Sequence, residues 1–288
     1  NPKKVKTICT GISGASASIK QITTMEMPSD ELEAAMTFEA RKHIPMDGTD
    51  AVIDFQILGS NQREVDKIDV GLVACTKGVL TSHMDLLKEC GLKPGVVDTY
   101  PIAMSNAFTF IKTMPDDGLV VILDIGAVSS SLVVYGSGEQ FFTRDLPIGG
   151  HHFVKELSDR KEISYTEAQD VLYKDGLAAS ISNSTDAPLT SVGIAERTIY
   201  DNLVEDLRRS LRFYAKQTGQ SFFLKIFLSG GGAETPGLTE FVSSKLNIEC
   251  DLFDPFENVN GGENISVNNK SQYTIALGLG IRGGMANE

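Results

Sequence analysis

Residues 119–150, LVVILDIGAVSSSLVVYGSGEQFFTRDLPIGG, carry the pattern that decides the fold. Leu119 to Leu123 form an unbroken apolar run, ended by Asp124, Ile125 and Gly126 and followed by the hydroxyls of Ser129, Ser130 and Ser131. Such a run bounded by turn residues predicts a strand buried on both faces. Leu132–Tyr135 and the segment through Phe141 and Phe142 predict two more strands around the turn Gly136-Ser137-Gly138. A buried strand that delivers one carboxylate into a Gly/Ser turn suits phosphate chemistry. Backbone N–H groups and hydroxyls of the turn cradle phosphate oxygens, and the carboxylate holds Mg²⁺ through water. An ordinary hairpin whose Asp caps the turn fits the same letters, and this stretch alone leaves both readings open.

At 288 residues the chain has room for one large or two medium domains with a substantial core. Its 41% hydrophobic and 22% charged residues are those of a soluble globular protein. A net charge of −12 argues against nucleic acid or an anionic membrane surface as partner. It leaves nucleotide binding open, because a nest of backbone amides needs few lysines. Cys9, Cys75, Cys90 and Cys250 lie far apart and show neither zinc-ligand spacing nor a disulfide framework, which suits a reducing compartment. No apolar run approaches the roughly 18 residues of a membrane span. The start, NPKKVKTICTG, has no initiator Met and no signal-peptide core, so a preceding segment is left open.

Upstream, residues 5–12 and 18–23 predict short strands around Gly14-Ala15-Ser16. Asp30 and Glu33 are spaced as a capping pair for a helix that stops near Ile44, before Pro45. Residues 51–58 and 68–75 predict strands, and Lys77–Cys90 a helix with Leu80, Met84 and Leu87 on one face. Residues 28–91 thus read as a small α-β-β-α subdomain. A strand over 92–99, a helix from Pro101 to about Lys112 and a linker at 114–118 lead into the deciding stretch. Downstream, Ser164 and Glu167 form a capping box, 178–191 reads as an exposed loop, and a long helix is expected from about Val192 to Gln217. A buried strand, 222–228, then feeds Ser229-Gly230-Gly231-Gly232-Ala233, and a last helix covers Ile275–Ile281. Successive glycines after a strand let a backbone approach a ligand, although a plain strand-to-helix turn has the same composition.

The order of these pieces resembles the second half of an actin-like nucleotide fold. The pieces themselves resemble the PilM family of type IV pilus assembly proteins, relatives of the divisome protein FtsA. The residues that carry the resemblance are ELEAAMTFEARKHIP (31–45), DFQIL (54–58), ECGLKPGVVD (89–98), DIGAVSSSLVV (124–134), FTRDLPIGG (142–150), RRSLRFY (208–214), LSGGGAETPGL (228–238) and ALGLGIRG (276–283). The resemblance implies an α/β, ribonuclease H-like two-lobed fold, with a first lobe incomplete at its N-terminus. It divides the chain into a first-lobe remnant (1–27), an FtsA-like 1C-type subdomain (28–91), the rest of that lobe with its linker (92–117) and the second lobe with its phosphate hairpin (118–160). A helical subdomain (161–221), the adenosine motif (222–268) and a C-terminal helix returning to the first lobe (269–288) follow.

By the same resemblance Asp124, Gly126, Ser129 and Ser130 form a second phosphate loop, with Asp124 towards Mg²⁺ through water. Gly230, Gly231 and Gly232 fit an adenosine motif around ribose and α-phosphate. Glu205, Arg208 and Arg209 match the adenine-flanking helix, while their i, i+3, i+4 spacing equally gives intrahelical ion pairs on a solvated face. The hairpin and the triple glycine are expected to face each other across an interdomain crevice shaped for ATP. Family members start with a further Asp-containing phosphate loop, absent from these residues, which weakens the expected clasp on ATP. His43, His83, His151 and His152 suggest structural positions only.

Three functions follow as expectations. The first is a cytoplasmic nucleotide-binding scaffold, peripheral to the inner membrane, that holds the cytoplasmic tail of a bitopic PilN-type pilus protein. The second is an ATPase or small-molecule kinase, for which no carboxylate is marked as base. The third is a docking protein that has lost its nucleotide. Pilus assembly or retraction ATPases are further expected partners, and dimers or filaments are both compatible with the fold.

Overall fold

The computed structural model describes residues 7–14, 17–43, 51–61, 63–181 and 197–285, with the backbone alone at 41–43 and 181. The expected turn residues Ala15 and Ser16, the helix stop at Ile44 and Pro45, and most of the expected loop at 178–191 lie outside the described residues. The chain divides into two units: Asn1–Phe110 with Tyr135–Thr143 and Ile275–Glu288, and Ile111–Val134 with Arg144–Thr274.

In the first unit, β2 (Ala17–Met25), β3 (Ala51–Ser60) and β4 (Lys67–Thr76) form an antiparallel sheet with β4 in the middle; β1 (Cys9–Ile12) precedes it in sequence. Alternation along β4 sends Ile68, Val70, Leu72 and Ala74 to one face, where α1 (Ser29–His43) lays Leu32, Met36 and Ala40 over them. Each of the larger side chains buried there contributes about 1.5–3 kcal/mol. Two sequence expectations are corrected. Strand β2 pairs with β4 from Ala17 to Met25, so a boundary at residue 28 would cut this sheet. Helix α1 starts at Ser29, which places Asp30 inside its first turn instead of at the cap.

The same unit holds a two-stranded parallel pair, β1 and β5 (Val96–Thr99), with α2 (Lys77–Glu89), α3 (Tyr100–Ile111) and the C-terminal helix α9 (Thr274–Met285), the last in chain order. Helix α9 meets α3 almost backbone to backbone, because a Cβ on Gly278 would fall 1.8 Å from the Ala103 carbonyl oxygen. At the end of β5 the buried Asp98 accepts from the Thr99 amide at 2.7 Å, and its other oxygen lies 3.8 Å from Arg282 Nε without a hydrogen bond. Burial pushes the Asp98 carboxyl above its ordinary value, against the pull of the Thr99 amide and Arg282. The apolar face expected on α2 exists, but no residue of that helix is fully buried.

The second unit is built on a five-stranded sheet in the order β10-β9-β6-β7-β8. Its strands are β6 (Leu119–Ile125), β7 (Ser130–Tyr135), β8 (Phe142–Leu146), β9 (Phe223–Ser229) and β10 (Glu249–Leu252). Strand β6 is central and its five leading apolar residues are all buried, as an uninterrupted run requires of a strand covered on both sides. Strands β6, β9 and β10 run parallel. Helices α4 (Gly150–Lys161), α5 (Tyr165–Asp175), α6 (Leu177–Ile181), α7 (Ile199–Thr218) and α8 (Leu238–Leu246) complete the unit. Ser164 and Glu167 cap α5 reciprocally. Helix α7 begins after Thr198, which forms a second capping box with Asp201; of the earlier start expected at Val192, residues 192–196 lie outside the described residues. Tyr135–Thr143, the tip of the β7–β8 hairpin, groups with the first unit, where the Phe141 amide donates to the Gln21 side chain at 2.8 Å.

Candidate functional site

Asp124 and Ser229 are register partners on β6 and β9. Parallel neighbours end on the same sheet edge, so the turns that follow them open side by side. Both belong to the second unit. The expectation that they face each other across a crevice between lobes is therefore corrected: one unit carries both turns on a single edge.

Asp124 is the one expected site residue with an ionisable group at this edge. Its Oδ1 accepts from Ser229 Oγ at 2.9 Å. Burial pushes its carboxyl above the ordinary value and the Ser229 hydrogen bond pulls it back in part. No cluster of three or more potential metal ligands occurs among the described residues. A lone carboxylate suits Mg²⁺ when phosphate oxygens and water supply the rest of its shell, which is how this ion is commonly held. Asp124 fits that part, and no group of side chains among the described residues would hold the ion without a phosphate ligand.

The turn after β6 is closed by the Gly126 amide, which donates to the Ser129 carbonyl at 3.1 Å, and it leaves Ala127, Val128 and Ser129 exposed. Helix α4 docks against this turn. The amide of Gly150 donates to the Gly126 carbonyl at 2.9 Å, and that of His151 to the Ala127 carbonyl at 2.8 Å. Gly149 makes the approach feasible, since a Cβ there would lie 2.6 Å from the Gly126 oxygen. The His152 ring accepts from the Gly149 amide at 3.1 Å, and His151 pairs with the Tyr165 hydroxyl at 3.1 Å, so both histidines serve this helix start. Ser129 stands at the mouth of the turn, whereas Ser130 does not. Ser130 is fully buried and its hydroxyl donates to the Ile148 carbonyl at 2.6 Å, holding the segment that leads into α4.

The three glycines after β9 divide in the same manner. Gly230 has φ +86°, and a Cβ there would lie 2.6 Å from the Ile125 oxygen. A Cβ on Gly232 would lie 2.6 Å from Ile125 Cγ2, and the Gly232 amide donates to the Ile125 carbonyl at 2.8 Å. These two glycines pack the turn onto the end of β6. Gly231 alone of the three is exposed, and a Cβ there would have no other atom within 4 Å. The segment 269–271 braces the turn from behind: Asn269 donates to the Gly231 carbonyl at 3.0 Å and the Gly230 amide donates to the Ser271 carbonyl at 3.1 Å. Glu234 accepts from both the amide and the hydroxyl of Ser271 at 3.1 Å.

On α7 the alternative of intrahelical pairs is what the side chains make. Arg208 binds Glu205 at 2.6 Å, and Arg209 lies 3.6 Å from Asp206. Arg208 also donates to the Lys245 carbonyl at 2.7 Å, at the last turn of α8. That end is roughly 12 Å along α8 from the glycine turn at 1.5 Å per residue. Arg208, expected on the helix that flanks adenine, is thereby tied to the last turn of α8.

Sequence reasoning left out Ser229, Asn269, Glu234 and Ser271. Ser229 was signalled by its place between a buried strand and three glycines. Asn269 and Ser271 reach the turn from some forty residues downstream, and no local pattern announces such a brace.

A family model described as type IV pilus assembly protein PilM matches residues 1–284. The cell division protein FtsA of Staphylococcus epidermidis is 22% identical over 205 residues, covering 66% of this chain and 43% of its own. FtsA of Bacillus subtilis is 23% identical over 217 residues, covering 71% and 48%. The match thus spans less than half the length of these relatives. A solved PilM-PilN type IV pilus biogenesis complex superposes with a TM-score of 0.76 at 24% identity, over 96% of this chain and 79% of that one. The fold is actin-like.

Proposed function

The chain belongs to the family of the type IV pilus assembly protein PilM, and on that premise we propose that it is a nucleotide-binding scaffold of the pilus assembly platform at the inner membrane. The observation that carries the nucleotide part is Asp124, held by Ser229 at the sheet edge between the exposed tip 127–129 and the exposed Gly231. There the tip amides and the Ser129 hydroxyl would meet phosphate, Gly231 the sugar side, and Asp124 the water shell of Mg²⁺. Glu234, the other acid beside the glycine turn, is engaged by Ser271 and acts as a brace, which favours binding over catalysis.

The partner in this reading is the N-terminal cytoplasmic tail of a PilN-type membrane protein, and the FtsA-like subdomain that takes part in holding it includes the β2-β4-β3 sheet with α1. No helix among the described residues is long and apolar enough to cross a membrane; in this reading the partner's own span supplies the anchorage. Calorimetric titration of the full-length protein with Mg-ATP and Mg-ADP tests the nucleotide part, with Asp124→Ala as control. Binding that weakens in the variant supports it, and absence of heat from the wild type overturns it. Capture of the tail peptide tests the scaffold part, and failure to capture it in either nucleotide state refutes that part.

A docking protein without nucleotide has one observation in its favour. Gly230, Gly232 and Ser130 serve internal packing, so three of the letters that suggest a nucleotide site are explained without one. The same titration separates the two readings.

A further inference from the structure

We infer that Ser229 is a positioning residue, which sets the Asp124 carboxylate for a phosphate-bound cation; this deepens the nucleotide reading above and rests on it. Ser229 is fully buried, and its register with Asp124 places the two side chains on one face of adjacent strands. Its Oγ lies 2.9 Å from Asp124 Oδ1 and 3.3 Å from the Ser271 carbonyl oxygen. One hydroxyl proton therefore faces two acceptors. The carboxylate is the nearer and, when ionised, the stronger. With Oδ1 engaged, Oδ2 is the oxygen that remains to accept from water in a cation's shell.

The second acceptor separates positioning from simple support. A hydroxyl needed only to satisfy the fold would be content with Ser271, whose carbonyl also accepts from the Gly230 amide at 3.1 Å and the Thr274 hydroxyl at 2.9 Å. Removing the Ser229 hydroxyl thus leaves that carbonyl satisfied, and Ser229→Ala keeps its fold. What it loses is the bond that fixes the carboxylate. Among the described residues no group of three or more potential metal ligands occurs, and Asp124 is the acid that Ser229 holds at this sheet edge.

The test is calorimetric titration of ATP into the full-length protein in Mg²⁺ and in EDTA, for wild type, Ser229→Ala, Ser229→Thr and Asp124→Asn, with melting curves for each. The ratio of the two dissociation constants is the readout, and a merely structural role would not move it. In Ser229→Ala the ratio should fall by about tenfold, towards that of Asp124→Asn, as expected for a lost hydrogen bond to a charged group. Ser229→Thr, which retains the hydroxyl, should restore it. An unchanged ratio in Ser229→Ala overturns the inference, as does Ser229→Thr behaving like Ala while melting like the wild type. A wild type that binds ATP equally in both buffers overturns it alone, whereas a wild type that binds in neither overturns the nucleotide reading and this inference with it.

Discussion

Alanine substitution along the glycine turn separates packing from ligand approach. At Gly230 an alanine must adopt φ +86° and bring its Cβ to 2.6 Å from the Ile125 oxygen, which is backbone and cannot rotate away. The left-handed conformation costs about 1–2 kcal/mol, and the displacement that relieves the overlap costs about 1–3 kcal/mol more. The sum, about 2–5 kcal/mol, lowers the melting temperature by roughly 4–20 °C for a unit of this size. At Gly231 the backbone is not left-handed and the space around a Cβ is open. Alanine there should leave stability within about 0.5 kcal/mol of the wild type or raise it slightly, by restricting the unfolded chain. Gly231→Ala is then the variant expected to change nucleotide affinity without changing the fold. Urea denaturation and thermal melting of the two single variants, with nucleotide titration of each, measure both quantities. Equal destabilisation at 230 and 231 would refute the division of labour drawn from the turn.

Three further outcomes are expected. Arg208→Ala should cost about 1 kcal/mol through the lost tie to the last turn of α8 and leave the dissociation constant for ATP within about twofold; a large loss of affinity would restore Arg208 to the adenine site. Gly278→Ala should destabilise the first unit by about 3 kcal/mol or more, because α9 must retreat from the Ala103 carbonyl; a wild-type melting curve would contradict the close approach of α9 and α3. Asp98→Asn should gain stability over the wild type as pH rises. The raised carboxyl means that the folded state prefers Asp98 protonated, a contribution fully present below the unfolded pKa and lost as pH climbs through the folded one. The asparagine stays neutral throughout, so melting curves recorded from about pH 4 to pH 7 should diverge in its favour, and divergence in favour of the wild type would mean that the Arg282 pair outweighs burial.

Much of the fold was legible where sequence and packing speak locally. The unbroken run Leu119–Leu123, the strand pattern at 51–58 and the capping box at Ser164 each determine their own element, and each formed. The candidate site was legible in outline, since strand-turn patterns singled out Asp124 and the glycines and the family resemblance supplied their expected roles. What could not be read was which letters face a ligand and which face the protein. Ser129 and Ser130 are adjacent and chemically identical, yet one is exposed in the turn and the other, first residue of the buried strand β7, lies against Ile148. Gly230 and Gly231 differ likewise through the distance to Ile125, a residue more than a hundred positions away. Arg208 went to α8 because its reach was settled by a helix end that no spacing within α7 reveals.

Helix α2 has a consequence of its own. None of its thirteen residues is fully buried, and Val79 and Leu86 remain exposed, while His83 reaches Thr10 on β1 at 2.7 Å. A helix so lightly covered gains little from its neighbours and is marginal by itself at that length. Its amide protons should exchange with solvent deuterium through local opening, well before those of α7, whose seven buried side chains open only with the unit around them. Limited proteolysis should cut within α2 before it cuts within α7 for the same reason.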